Sequence, residues 1–237
     1  TSTVACLVFQ QDLSTEQLAE RRHLLQLLGI DELPTSFWHL FDEQSDPLLR
    51  LKALPGLTVR QKEQIILEAA KLVRAGVNED TWLPVLAVTY PLLATYLTAF
   101  PIGDGFVRDY LLAYVRSRLT DAPLVELEPL AAKWASDKTV WGHATRASLI
   151  GQSAGPGTLR FWVDALGIEW AGVLHTLLND GETECILRCG RSELPTSTSF
   201  NREWSDDEPV ERELDNLAHA LGYQYPRSFV REITLIE

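Results

Sequence analysis

The sequence has little of several residue types that mark specialised proteins. Among its 237 residues there are three cysteines, Cys6, Cys185 and Cys189, which are too few and too odd in number for a disulfide framework. There is no methionine, which we interpret as a sign that the chain is a piece of a longer protein. The first residues lack the basic-then-apolar pattern of a secretory signal, so we expect a cytoplasmic location.

Basic residues are scarce relative to acidic ones. The sequence has 21 lysines and arginines against 33 aspartates and glutamates, which gives a formal net charge of −12. Such a surface repels phosphate backbones and anionic lipids, and the basic residues are scattered rather than clustered. We therefore expect no direct DNA binding and no membrane binding. The hydrophobic fraction of 46% excludes a disordered or collagen-like chain and fits one large domain or two smaller ones.

Charge is absent altogether between Asp80 and Asp104. This stretch is long enough to span a membrane as a helix, so a transmembrane segment is one interpretation. Three prolines, Pro84, Pro91 and Pro101, interrupt it, and threonines are interspersed. Since proline breaks or kinks a helix, the pattern favours a buried helical hairpin over a membrane span.

The first part of the chain is predicted to be a helical domain over residues 1–150. Ser14 and Gln17 form a capping-box pattern at the start of one helix, and Thr58 with Gln61 begins another. In both cases apolar residues recur with helical period until a glycine ends the run. The predicted helices run over about 15–28, 58–75, 105–119 and 124–135.

The pattern changes after residue 150. The glycine-rich segment 151–157 is predicted to be a linker. It is followed by a predicted strand over 158–163, a helix over 168–178 and a second strand over 183–189. A strand–helix–strand unit almost always forms a right-handed crossover between parallel strands. We therefore predict that an α/β domain with a parallel sheet occupies residues 158–237.

Two polar segments are predicted to meet at one edge of this sheet. Asp164 follows the first predicted strand, and the hydroxyl-rich loop 192–201 follows the second. Ligands bind outside the carboxyl ends of parallel strands, and Thr198 would lie at a helix amino end, where the dipole favours anions. Taken alone, the same residues also fit an ordinary turn and helix cap.

Both segments resemble motifs of the PglZ domain, a branch of the alkaline phosphatase superfamily. Residues 161–170 (FWVDALGIEW) are similar to the opening of that domain, and residues 194–201 (LPTSTSFN) to its second signature. The two occur in the family's order and at a comparable separation. The resemblance implies that Asp164 is a metal ligand, that Thr198 is a metal-bound nucleophile, and that Asn201 contacts the phosphoryl group.

The resemblance implies a cytoplasmic component of a bacterial anti-phage system of the BREX type, with other defence proteins as partners. The implied activity is hydrolysis of a phosphodiester or phosphomonoester with two zinc ions, which activate an otherwise poor threonine nucleophile. The family's remaining ligands, which include an Asp-His pair, are expected downstream, since no such pair occurs in this chain. Asp164 and Thr198 are too few for a stable zinc site, so this portion is expected to be inactive alone.

A second hypothesis makes the chain a non-catalytic module. In that interpretation the helical domain binds defence partners, and the α/β segment has a structural role. Other residues that could carry chemistry also have interpretations without a catalytic role. Cys185 and Cys189 are interpreted as buried free thiols, and Arg188 and Arg191 as anion ligands or plain surface residues. Five histidines are interpreted as isolated residues outside any metal site: His23, His39, His143, His175 and His219.

Overall fold

The structure, a computed structural model, is dominated by helices. It describes residues 7–9, 11–103, 105–137, 142–152, 159–163, 167–179, 186–192 and 230–235. The α-helices of the described residues are α1 (Thr15–Leu27), α2 (Thr35–Glu43), α3 (Pro47–Ala53), α4 (Val59–Arg74), α5 (Glu79–Thr89), α6 (Pro91–Thr98), α7 (Gly105–Thr120), α8 (Leu127–Asp137), α9 (Arg146–Gln152) and α10 (Ala171–Leu178). Short 3₁₀ helices lie at Leu7–Phe9 and Ile168–Trp170, and the strands are β1 (Leu159–Val163) and β2 (Val230–Leu235).

The predicted helix starts are confirmed with their caps. The Ser14 hydroxyl accepts a hydrogen bond from the Gln17 amide at 3.4 Å, and the Gln17 side chain accepts one from the Ser14 amide at 2.9 Å. At the start of α4, the Thr58 hydroxyl accepts from the Gln61 amide at 3.3 Å. Each cap satisfies amide groups that a helix start otherwise leaves unpaired. The predicted helix over 105–119 is α7, and the one over 124–135 is α8, which begins about one turn later.

The uncharged stretch forms the predicted buried hairpin. Helix α5 ends at Thr89 and α6 begins at Pro91, whose missing amide proton suits a first helical position. The two helices pack against each other, and both bury apolar side chains, among them Trp82, Leu86 and Leu97. Across the part of the chain that the structure describes, no helix combines the length and the apolar character that crossing a membrane requires.

The core of the helical part is built around α4. This helix packs against α3, α5 and α7. The largest fully buried apolar side chains of the described residues are Trp82, Phe37, Phe41, Leu51, Leu54, Ile65, Leu72, Leu86, Leu97 and Val115. Burial of such side chains stabilises the fold by about 1.5 to 3 kcal/mol each relative to an exposed position.

The chain divides into two compact units that interleave along the sequence. One unit combines Thr1–Ala131 with Ala171–Cys185, and the other combines Ala132–Trp170 with Ile186–Glu237. Helix α10 belongs to the first unit, where it packs on α6. A side chain at Gly172 would meet the Ala99 carbonyl oxygen at 1.5 Å, so only glycine permits this approach. The predicted division at residues 150 and 158 stays a prediction, and these units run differently along the chain.

The second unit contains a two-stranded antiparallel sheet. Strand β1 confirms the predicted strand that precedes Asp164, and it pairs with β2 so that Leu159 lies opposite Leu235 and Phe161 opposite Ile233. The expected partner of β1 was a parallel strand over 183–189. Of that segment, residues 186–189 are irregular, so this part of the prediction is wrong, and residues 183–185 lie outside the described residues.

Two further sequence expectations change in the second unit. The predicted linker 151–157 begins inside α9, which continues to Gln152. The pairing that holds β1 comes from a segment near the end of the chain, Val230–Leu235, for which no strand was predicted. The described strand pair is antiparallel, whereas the prediction was a parallel sheet, and the α/β domain as a whole stays a prediction.

Candidate functional site

The residues predicted to carry the chemistry are Asp164, Thr198 and Asn201, and all three lie outside the described residues. The structure does describe strand β1, which precedes Asp164 in the sequence. Strand β1 ends at Val163, so Asp164 is the residue that follows the strand directly, as the sequence pattern predicts. The roles of metal ligand, nucleophile and phosphoryl contact stay predictions for these three residues.

The segment that leads into the predicted Thr198 loop is fixed by backbone hydrogen bonds. The Arg191 amide donates to the Ala144 carbonyl at 2.9 Å, and the Arg146 amide donates to the Arg191 carbonyl at 3.0 Å. Gly190 lies so close that an added Cβ would be 2.9 Å from the Ala144 carbonyl oxygen. The second unit thus holds residues 190 and 191 in place just before Ser192 begins the loop.

The side chains of this segment differ in exposure. Arg188 is exposed, and Arg191 is half-buried. Cys189 is a free, half-buried thiol, and desolvation by burial raises its pKa. Since the thiolate is the reactive form, a raised pKa makes Cys189 a poor nucleophile at neutral pH. Cys189 is thus a free thiol as expected, but it is half-buried rather than buried, and Cys185 lies outside the described residues.

No group of three or more His, Cys, Asp or Glu side chains among the described residues is arranged to hold a metal ion. One predicted isolated histidine does have a carboxylate neighbour. His39 Nδ1 lies 3.2 Å from Glu43 Oε1, one helical turn away, and both side chains are largely exposed. The sequence interpretation of His39 as isolated is therefore wrong, because a spacing of four residues on a helix brings two side chains together.

A buried carboxylate lies inside the helical unit. Glu68 of α4 has no exposed surface, and its Oε1 is 2.9 Å from Arg50 Nε. Lys71 Nζ donates to both oxygens, at 2.9 and 3.1 Å. The guanidinium of Arg50 also lies 4.1 Å from the centre of the Phe41 ring. Both carboxylate oxygens are bound by cations of the protein itself, so we assign this cluster a structural role.

Glu68 was not predicted as a buried residue, although its position in the helical pattern indicates burial. The residue lies three positions after Ile65 and four before Leu72, both fully buried on the same face of α4. A carboxylate at a position of the apolar stripe indicates a buried charge, which requires partners elsewhere in the fold. The partner Arg50 comes from a different helix, and its approach cannot be read from local spacing.

Gln61 is a second polar side chain with no exposed surface. Its Oε1 accepts from the Leu57 amide at 2.8 Å, and its Nε2 donates to the Asp31 carbonyl at 2.8 Å. The sequence predicts Gln61 as a capping partner of Thr58, and its amide fills that role. Its side chain instead joins two loops, the one before α4 and the one after α1.

A groove of about 320 Å³ lined by both polar and apolar side chains lies on the surface of the helical unit. Its lining includes Asp12, Ser14, Lys52, Asp80 and Thr81. Lys52 forms an ion pair with Asp12, and Ser14 caps α1. The charge of the lysine is thus neutralised, and the serine hydroxyl is already hydrogen-bonded, so Lys52, Asp12 and Ser14 are assigned structural roles.

Comparison of the chain with protein-family models, with curated proteins and with solved structures finds no match.

Proposed function

We propose that the chain is the amino-terminal portion of a PglZ-family protein of an anti-phage defence system, and that the complete protein is a metal-dependent phosphodiesterase or phosphatase. The single observation that carries the proposal is the order of two motifs, FWVDALGIEW at residues 161–170 and LPTSTSFN at 194–201. The strand β1 supports it, because it ends directly before Asp164. The location in the cytoplasm and the defence partners are parts of the same proposal.

The proposed roles follow from the chemistry of the side chains. Thr198 supplies the hydroxyl oxygen that attacks phosphorus, Asp164 supplies a carboxylate ligand, and the Asn201 amide contacts the phosphoryl oxygens. Zinc, when bound, would lower the pKa of the threonine hydroxyl. Two oxygen ligands are fewer than the four of a stable zinc site. We therefore expect this chain alone to show no hydrolysis, and the ligand set to be completed by residues beyond Glu237.

The test uses the longest natural form of the protein that contains this chain. Hydrolysis of bis(4-nitrophenyl) phosphate is measured with added zinc and after treatment with a chelator. We expect activity that needs zinc, and a loss of about a thousandfold or more in Thr198→Ala, because the nucleophile is removed. Thr196→Ala, in the same segment, is the matched control and is expected to retain activity.

Three outcomes separate the hypotheses. Activity that survives Thr198→Ala would refute the assignment of the nucleophile. Loss of activity in Thr196→Ala to the same degree would point to damage of the segment rather than to loss of a nucleophile. Absence of hydrolysis in every metal-loaded form would refute the enzyme hypothesis and favour the non-catalytic interaction module.

A further inference from the structure

Helix α1 exposes a cluster of leucines on its outer face. The exposed fractions are 49% for Leu24, 69% for Leu27 and 69% for Leu28. Leu24 is three residues from Leu27 and four from Leu28, so it neighbours both side chains on the helix surface. The helix contributes two other leucines, Leu18 and Leu25, to the core, so the outer leucines are not needed to attach it. Adjacent exposed apolar side chains of this kind typically mark an interaction site.

The backbone at the end of this face is held by hydrogen bonds. Gly29 ends α1 with φ of +62°, and the amides of Gly29 and Ile30 donate to the carbonyls of Gln26 and Leu25 at 3.0 and 2.9 Å. This arrangement closes the helix end in the manner of a Schellman motif. The next residue, Asp31, is fixed through its carbonyl by the buried Gln61. A surface that is ordered before binding loses little conformational entropy when a partner docks.

The arginines of α1 point to the interior of the unit. Arg21 Nη1 donates to the Ala53 carbonyl at 2.8 Å, and Arg22 Nε donates to the Pro55 carbonyl at 2.9 Å. Both side chains are half-buried. Burial lowers the pKa of Arg21 to about 10, so it stays protonated at neutral pH but faces the loop after α3. These two cations therefore do little to neutralise the outer face.

The exposed charges of α1 and of the loop after it are all negative. No lysine or arginine is fully exposed between residues 11 and 32. Glu20 lies one helical turn before Leu24, on the same face as the leucines. The exposed acidic residues of this region are Asp12, Glu16, Glu20, Asp31 and Glu32. The leucine cluster thus has Glu20 on the same helix face, and Asp31 and Glu32 follow Leu28 within four residues of the chain.

We propose that this acidic–leucine face, formed by Leu24, Leu27 and Leu28 with Glu20, Asp31 and Glu32, binds a cationic amphipathic segment of a partner protein. The leucines match an apolar stripe, and the carboxylates match lysines or arginines beside it. Phosphate-rich partners are repelled by this charge, and a second copy would bring two surfaces of the same sign together. The proposal does not depend on the hydrolase, since Thr198 and Asp164 play no part in it.

The test measures binding of a fluorescent helical peptide that carries leucines on one face and lysines on the other. We expect the intact chain to bind it, and the triple variant Leu24→Gln, Leu27→Gln, Leu28→Gln to bind about tenfold more weakly or worse, because the apolar contact is lost. The matched control is Val59→Gln, Ile66→Gln, Leu67→Gln on α4, whose side chains are also exposed. Melting curves of both variants should match that of the unmodified chain.

A charge series separates local complementarity from general attraction. The variant Glu20→Gln, Asp31→Asn, Glu32→Gln is compared with Asp42→Asn, Glu126→Gln, Glu128→Gln, which removes as many exposed carboxylates elsewhere. We expect the first to weaken binding several-fold and to flatten its salt dependence, and the second to change little.

Several results would overturn the proposal. They are failure of the intact chain to bind the peptide, equal weakening by the two variants of either series, and equal binding of a peptide with glutamates in place of the lysines. A dimer in light scattering that the three leucine substitutions dissociate would show that a second copy covers the face instead.

Discussion

Helices α4 and α1 depart in opposite ways from the rule that apolar side chains are buried and polar ones are exposed. Helix α4 buries Gln61 and Glu68 completely, whereas α1 leaves Leu24, Leu27 and Leu28 exposed. The difference lies in the partners. Each buried polar group of α4 is bound by a donor, an acceptor or a cation from elsewhere in the unit. The exposed leucines fill no place in the core, so their presence points to a contact outside the unit.

The strongest test of this contrast removes the buried charge. In Glu68→Ala, Arg50 loses its carboxylate partner while its side chain stays only 16% exposed. We expect the free energy of unfolding to fall by about 3 to 5 kcal/mol, because a largely buried cation is left uncompensated. Urea unfolding measures this change.

The matched control for Glu68 is an exposed carboxylate on the same helix. Glu63→Ala removes the same side chain from α4 at an exposed position and is expected to change stability by no more than about 0.5 kcal/mol. Equal effects of the two substitutions would show that the buried cluster does not stabilise the unit. The contrast between the two helices would then lose its physical basis.

The next effect in size concerns Gln61. Gln61→Ala leaves the Leu57 amide and the Asp31 carbonyl without their partner, and we expect a loss of about 2 to 3 kcal/mol. Thermal or urea unfolding provides the measurement, with Gln64→Ala on the same helix as the control. A loss no greater than that of the control would mean that water replaces both hydrogen bonds.

A smaller effect is expected at the start of α4. Thr58→Ala removes the hydroxyl that accepts from the Gln61 amide, and loss of such a cap costs about 1 kcal/mol. Thr58→Ser keeps the acceptor and should restore most of the stability. If serine and alanine are equally destabilising, the effect comes from the lost methyl group rather than from the hydrogen bond.

The smallest effect is expected on the exposed face of α1. Leu27→Gln should change the free energy of unfolding by no more than about 0.5 kcal/mol, because the side chain is mostly in water already. Leu25→Ala, on the buried face of the same helix, should cost about 2 to 5 kcal/mol by leaving a cavity. Comparable losses in urea unfolding would indicate that the outer leucines belong to the core.

Sequence patterns predicted the parts of the fold that depend on neighbouring residues. The capping box of Ser14 and Gln17 and the helical hairpin that turns at Pro91 each arise from interactions over a few residues. The pairing of β1 with β2 was missed, because it joins Phe161 to Ile233 across a long stretch of chain. Of the strand expected at 183–189, the described residues 186–189 are irregular, since β-propensity depends on context and is weak without a pairing partner.

The candidate catalytic residues could be predicted only from local sequence motifs. The position of Asp164 after a strand follows from local sequence, and β1 agrees with it. A contact between Thr198 and Asp164 would depend on tertiary structure, and the pairing of the two residues stays a prediction that rests on resemblance to a family. The acidic–leucine face was also missed, since the helical period of the apolar residues in α1 does not show that Leu28 is exposed whereas Leu25 is buried.

The packing of Gly172 against Ala99 has a consequence for the time course of synthesis. Helix α6 is complete once residue 98 has been made, but the helix that covers part of it, α10, ends at Leu178. A chain emerging from the ribosome must therefore hold its helical unit unfinished while the first residues of the other unit are produced. Domains generally fold as units during translation. Here the nascent helical unit is completed only by Ala171–Cys185, which is made after residues 132–170 of the other unit.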